Sequence, residues 1–207
     1  MSMILGMVTL GDANTARVLA DPPLVWRVIA PDDPGAYESA RRPAAKSSFL
    51  GRIFGRPPAA GGSKPDTSGE AFALAEGEGL SADLDKAWHG IHYLLTGTAW
   101  EGREPLNFLL AGGRPVGDID VGYGPARVLS AAETRAAHDA LAQLGDDELR
   151  RRFDPAEMMS KEIYPEIWDR PPEEDDTIEY LMEYVGILRA FLAQAVEKRQ
   201  GLVVCLN

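Results

Sequence analysis

Cysteine is nearly absent from this chain. Cys205 is the single example in 207 residues, so no intrachain disulfide can form. Its place in the apolar run LVVCL predicts a buried, inert thiol. Long hydrophobic runs are also missing. No segment approaches the ~18 apolar residues that a membrane-spanning helix needs. The amino terminus, MSMILGMVTLGD, lacks the basic region and the extended apolar stretch of a secretory signal. A cytoplasmic protein without stable membrane insertion is expected. Positive charge is the third shortage: 21 basic residues face 32 acidic ones, a net charge of −11. A general nucleic-acid binder needs a basic face to displace counterions, so that class is excluded. The charge fits a basic protein partner, or simply solubility.

Nucleotide motifs are missing too. Residues 112–130, GGRPVGDIDVGYGPARVLS, are rich in glycine, but no GK[ST] follows them and no GxGxxG is present. Tight turns are expected there instead.

What remains is ordinary for a globular protein. Hydrophobic residues make up 45% and charged residues 26%, enough for one domain with a real core. MILGMVTL near the start reads as a buried strand. Asp12 or Asn14 is placed to cap a helix that runs to about Ala20, where Asp21-Pro22-Pro23 stops it. Residues 24–30 fit helix or strand, and residues 31–35, PDDPG, form a turn cluster. Residues 106–110 fit a helical turn, and residues 126–129 a strand. Ser130 with Glu133 three residues on is a capping box for a helix to about Leu144. Gly145 ends that helix, and Asp146 or Asp147 opens another. Asp154-Pro155 opens a third. The longest periodic segment is 177–198, where Ile178, Leu181, Met182, Val185, Leu188, Leu192 and Val196 give the spacing of a core helix. Residues 202–206 form a terminal strand, expected beside the first one because its buried backbone must pair.

Residues 84–97, LDKAWHGIHYLLTG, carry two of the three histidines. At ~100° per residue, Leu84, Ala87, Trp88, Ile91, Leu94 and Leu95 share one arc, which predicts a half-buried helix. Ser81 is the expected cap, Asp83 adds charge to the first turn, and Gly97 closes the end. Asp85, His89 and His92 stack along the flank. Such a ridge has three readings. It is a core boundary, with His92 hydrogen-bonded and His89 solvated; or a carboxylate-oriented base; or half of a metal site. Two nitrogen ligands are too few for a resident metal, and the zinc-protease spacing and glutamate are absent. No metal and no cofactor is expected.

Residues 41–79 stand apart. Arg41, Arg42, Lys46, Arg52 and Arg56 bring five positive charges with no acid among them. Phe49, Leu50, Ile53 and Phe54 form an apolar stripe between them. This basic amphipathic segment fits the chain's own acidic body, an anionic surface or a partner groove. A Pro/Gly/Ser-rich flexible stretch follows at 57–69.

Taken together, the starting MSMILGM, LDKAWHGIHYLLTG at 84–97, GYGPARVLS at 122–130, RRFDPAEMMSKEIYPEIW at 151–168 and the last helix followed by LVVCLN resemble the YfbM-like family. These are bacterial proteins with a domain of unknown function. The resemblance spans the chain apart from residues 41–79. It implies a single α+β domain over residues 1–207, mostly helical, with a small sheet that includes both terminal strands. It brings no catalytic residues.

Two functions compete. One is a non-catalytic interaction domain that neutralises or regulates a basic partner. The other is a small enzyme. Its candidates are Asp85, His89 and His92, joined in one cleft by Glu162 and Tyr164, or by Asp118, Asp120 and Arg127, with Trp88, Tyr123 and Arg127 as binding groups. An open pocket holding a histidine within ~4 Å of Tyr164, Glu162 or Asp120 favours the enzyme; rings sealed among apolar groups disfavour it.

Overall fold

The computed structural model describes residues 2–41 and 71–207. Apart from Arg41, the basic stripe and the Pro/Gly-rich stretch at 57–69 lie outside them.

The strands are Leu5–Leu10 (β1), Ser81–Asp83 (β2), Arg114–Asp120 (β3), Pro125–Leu129 (β4) and Gly201–Leu206 (β5). They form one antiparallel sheet in the order β2-β1-β5-β4-β3. β1 and β5 pair along their whole length, Leu5 opposite Leu206 and Leu10 opposite Gly201. The two ends of the chain therefore build the sheet's centre. Both strands are buried on both faces, which explains their unbroken apolar runs. At Gly201 any Cβ would sit 2.2 Å from the Leu129 carbonyl oxygen, so only glycine admits this approach.

Side chains alternate across the sheet and feed two cores. Leu5, Met7, Leu129, Leu202 and Val204 face one way, into the larger. Five helices cover that side: Trp88–Thr96 (α4), Ala131–Ala142 (α5), Asp146–Arg151 (α6), Pro155–Ser160 (α7) and Thr177–Glu197 (α8). Val8, Leu10, Ala126, Val128, Val203 and Cys205 face the other way. There they meet Asp12–Ala20 (α1) and Val25–Ile29 (α2), which Pro34–Arg41 (α3) follows. The architecture is α+β, a sheet between a large and a small helical layer.

Local signals act where the sequence places them. Ser130 and Glu133 form a reciprocal capping box on α5, and Asp154 caps α7 with Pro155 in the first turn. Burial pushes the Cys205 thiol up to about 11.

Two open readings are settled and two expected caps are corrected. Residues 24–30 resolve as a helix, α2. The 31–35 cluster turns at its start, where the Asp33 N–H donates to the Ala30 carbonyl at 3.1 Å, and then runs into α3 at Pro34, with Asp33 accepting the Ala36 N–H. Neither Asp12 nor Asn14 caps α1. Gly11 is the N-cap residue, and the Glu78 carboxylate accepts its N–H at 2.7 Å from across the chain. Ser81 caps nothing. It lies in β2 opposite Val8, because the sheet edge recruits it first. Phe72 and Leu74 pack against the smaller core, so the last part of the 41–79 insert belongs to the folded body.

Candidate functional site

A 3-10 turn, Asp85–Ala87, leads into α4, and Gly97 ends the helix in a left-handed conformation at φ 73°. The carbonyls at its end, which have no helical partner, are taken by cations, as the helix dipole favours. Arg152 donates to Leu94 and Leu95, and Lys161 donates to Gly97.

The helix is not half-buried. Every residue from Trp88 to Leu95 is buried, and both histidine rings are 0% exposed. The flank expected to meet solvent is covered at His89 by the segments that carry Ala99–Trp100 and Tyr164. His89 ties these covers together. Its Nδ1 accepts the Tyr164 backbone N–H at 2.9 Å, and its Nε2 lies 2.7 Å from the Ala99 carbonyl oxygen. That pattern assigns the neutral Nε2–H tautomer. Burial pulls its pKa below the usual value. The ring sits among Trp88, with centroids 4.7 Å apart, and Trp100, at 4.5 Å. Trp88 donates from its indole to the Met3 carbonyl at 3.1 Å, and the Tyr164 hydroxyl accepts the Met3 N–H. These rings thus clamp the start of the chain.

His92 has no such partners. Among the described residues neither ring nitrogen makes a hydrogen bond of good geometry, the Glu101 backbone offering only a weak contact, and the ring is sealed. Its pKa falls to about 4, first through burial, then through neighbouring His89. Arg127 lowers it further, while the Glu101 backbone and charge oppose the fall. Among the described residues Arg127 pairs with no acid. Its guanidinium donates to the carbonyls of Phe108, Leu109, Ala111 and Gly112, at 2.6 Å for Leu109. Burial lowers its pKa to about 10. It fastens the loop at 108–112, with both terminal nitrogens spent on backbone carbonyls.

The other candidates are dispersed. Asp85, at φ 43°, accepts from the Tyr180 hydroxyl of α8 at 3.1 Å and contacts neither histidine. Glu162 is exposed, at φ 53°. Tyr164 reaches His89 through its backbone N–H, not its phenol. Asp120 accepts from Gly122 and Gly124, which lowers its pKa and shapes the β3–β4 turn. Asp118 is exposed beside it, and Tyr123 is 46% exposed at the turn's tip. Among the described residues no three or more histidine, cysteine or acidic groups gather to hold a metal. No helix among them is long and apolar enough to cross a membrane.

A different feature went unread in the sequence. Between α7 and the start of α8 lies a surface groove of about 410 Å³. Phe153, Met159, Trp168 and Ile178 supply apolar lining, and Asp169, Asp175 and Asp176 stand around it, with one cation, Arg170, paired to Asp175. The acidic run at 173–176 was legible as favourable charge for α8. Its position beside an apolar hollow depends on how residues 161–176 fold back, for which no periodicity speaks.

The structure resembles a solved structure of YfbM from Escherichia coli, described as a protein of unknown function. The TM-score is 0.61 at 16% identity, and the match covers 99% of each chain. The likeness is one of fold. No curated protein matches the chain. The family model described as a domain of unknown function, DUF1877, matches residues 1–205, and the chain belongs to that family.

Proposed function

We propose that this chain is a non-catalytic, cytoplasmic interaction domain that recognises a basic protein partner and restrains or regulates it. The whole chain acts as one domain, with the basic insert carried on it. The observation that carries this reading is the unbalanced charge of the folded body. Between residues 154 and 179 alone, ten acids stand against two bases. Most carboxylates of the described residues take no part in its ion pairs. Unpaired surface charge of one sign accelerates and orients encounter with an opposite partner. The histidines supply the complementary argument. A general base must reach its substrate proton. His89 has both nitrogens engaged by backbone, and His92 is closed off from solvent.

The test is affinity capture from the native host with the full chain as bait, beside an unrelated bait of equal negative charge. The expected result is a discrete basic protein retained by this chain only and released by salt. If both baits retain the same proteins, charge alone explains the capture and the proposal fails.

A further inference from the structure

We infer that the groove between α7 and α8 is the docking surface for that partner, and that it takes a cationic segment built around one large apolar side chain. The inference rests on the reading of the chain as a binder of a basic protein, and it names the place and the chemistry of contact.

The groove combines two properties that select one kind of occupant. Its lining is predominantly apolar. Trp168 is 1% exposed, and its indole N–H is already satisfied by the Ile163 carbonyl at 2.6 Å, so the ring asks nothing polar of an occupant. Phe153, Met159 and Ile178 are only partly buried and leave apolar surface in water. A volume of about 410 Å³ suits one large side chain with its flanks. The rim carries the second property. Asp175 is paired with Arg170 at 2.8 Å, and Asp176 caps α8 by accepting the Glu179 N–H. Asp169, and Glu173 and Glu174 on the same loop, have no hydrogen-bond or ion-pair partner for their carboxylates among the described residues.

Arg170 also lines the groove but is held by Asp175, so an apolar anchor seated on this floor brings its neighbours toward Asp169 on the rim, with Glu173 and Glu174 adding negative charge from the same loop. Arginine suits these acids best, since its planar fork bonds a carboxylate at two points. An acidic segment would meet uncompensated like charge. A second copy of this chain is disfavoured on the same ground, because each protomer presents the acidic face.

The experiment is NMR chemical-shift mapping on the full chain. The probe is a short amidated peptide of arginines around a single leucine. One control replaces leucine by glycine, another replaces the arginines by glutamates. Shifts should cluster at Met159, Trp168, Asp169 and Ile178. The glycine peptide should bind more weakly, and the glutamate peptide not at all. The double charge reversal Asp169→Lys with Glu174→Lys lies on exposed positions and should leave the spectrum of the fold intact. It should weaken the arginine–leucine peptide by about tenfold, the loss of two rim attractions replaced by repulsions.

If the peptide binds elsewhere, or the double variant binds equally well, the groove is the wrong surface and the broader reading survives. If no arginine peptide binds better than the glutamate control, the broader reading falls with it. Before peptide is added, the groove resonances should be insensitive to protein concentration and to salt. Dependence on concentration would assign the groove to a second copy. Dependence on salt alone would assign it to the basic stripe at 46–56. Either result overturns the inference.

Discussion

Two helices cross in the larger core and differ in how much of them water reaches. α8 keeps one face in solvent. Leu181, Val185, Leu188, Leu192 and Ala195 are buried, while Glu183, Gly186, Ile187 and Ala190 are exposed. α4 keeps none: Trp88 through Leu95 are all buried. Both carry helical periodicity, yet the period assigns a true surface only to α8. A polar residue off the apolar arc need not meet water. It can be covered by a loop that supplies hydrogen bonds, as Ala99 and Tyr164 do for His89, or covered without them, as at His92.

The largest test of this contrast is Trp88→Ala. The indole is fully buried and holds the Met3 carbonyl. Its removal should cost about 3–5 kcal/mol in chemical denaturation. A loss under about 1 kcal/mol would mean that the site collapses around the gap and that α4 is less enclosed than described.

The second test uses pH. An imidazole whose folded pKa lies near 4, against 6.5 when unfolded, takes its proton on unfolding throughout that interval. Its contribution is therefore intact above pH 6.5 and lost as pH falls toward 4. For His92 the loss is on the order of 3 kcal/mol by the low end. His92→Phe keeps the ring's size and removes two unpaired nitrogens. It should match or exceed the wild-type stability at pH 7 and flatten the slope between pH 6.5 and 4. Slopes that coincide would show that His92 is solvated in the native state.

Two glycines sharpen the comparison further. A Cβ on Gly90 of α4 would lie 2.7 Å from both Leu181 and the Trp168 ring. Alanine there improves helix propensity by ~1 kcal/mol, but overpacking costs about 1–3 kcal/mol. Gly90→Ala should be destabilising by about 1 kcal/mol on balance. On α8, Gly186 is exposed and a Cβ there meets nothing within 4 Å. Gly186→Ala should be the smallest effect and opposite in sign, a gain of about 0.5–1 kcal/mol. The pair gives way if thermal melts move both variants in the same direction.

The candidate site shows the same division of legibility. The residue types at Asp85, His89, His92, Glu162, Tyr164 and Arg127 were readable, but their convergence was not. Asp85 turns to Tyr180, Arg127 turns to loop carbonyls, and Glu162 faces solvent. Each of these outcomes depends on a contact far away in the chain. The groove at α7–α8 was invisible for the same reason: Met159, Trp168 and Ile178 meet only when the aperiodic 161–176 segment folds back.

What the sequence determined by itself is what short-range physics controls. The capping box at Ser130–Glu133, the Asp154-Pro155 start of α7, the period of α8 and the two terminal strands all follow from groups a few residues apart. Even the pairing of β1 with β5 was accessible, because a buried strand at each end must satisfy its backbone somewhere. Tertiary structure alone decided that Glu78 holds the Gly11 N–H at the start of α1, that Ser81 joins the sheet and that α4 has no wet face. Those outcomes are set by loops, whose positions are fixed by contacts such as Arg127 to residues 108–112 and His89 to Ala99 and Tyr164. Such contacts leave no period in the sequence, since the backbone groups they use are the same at every residue.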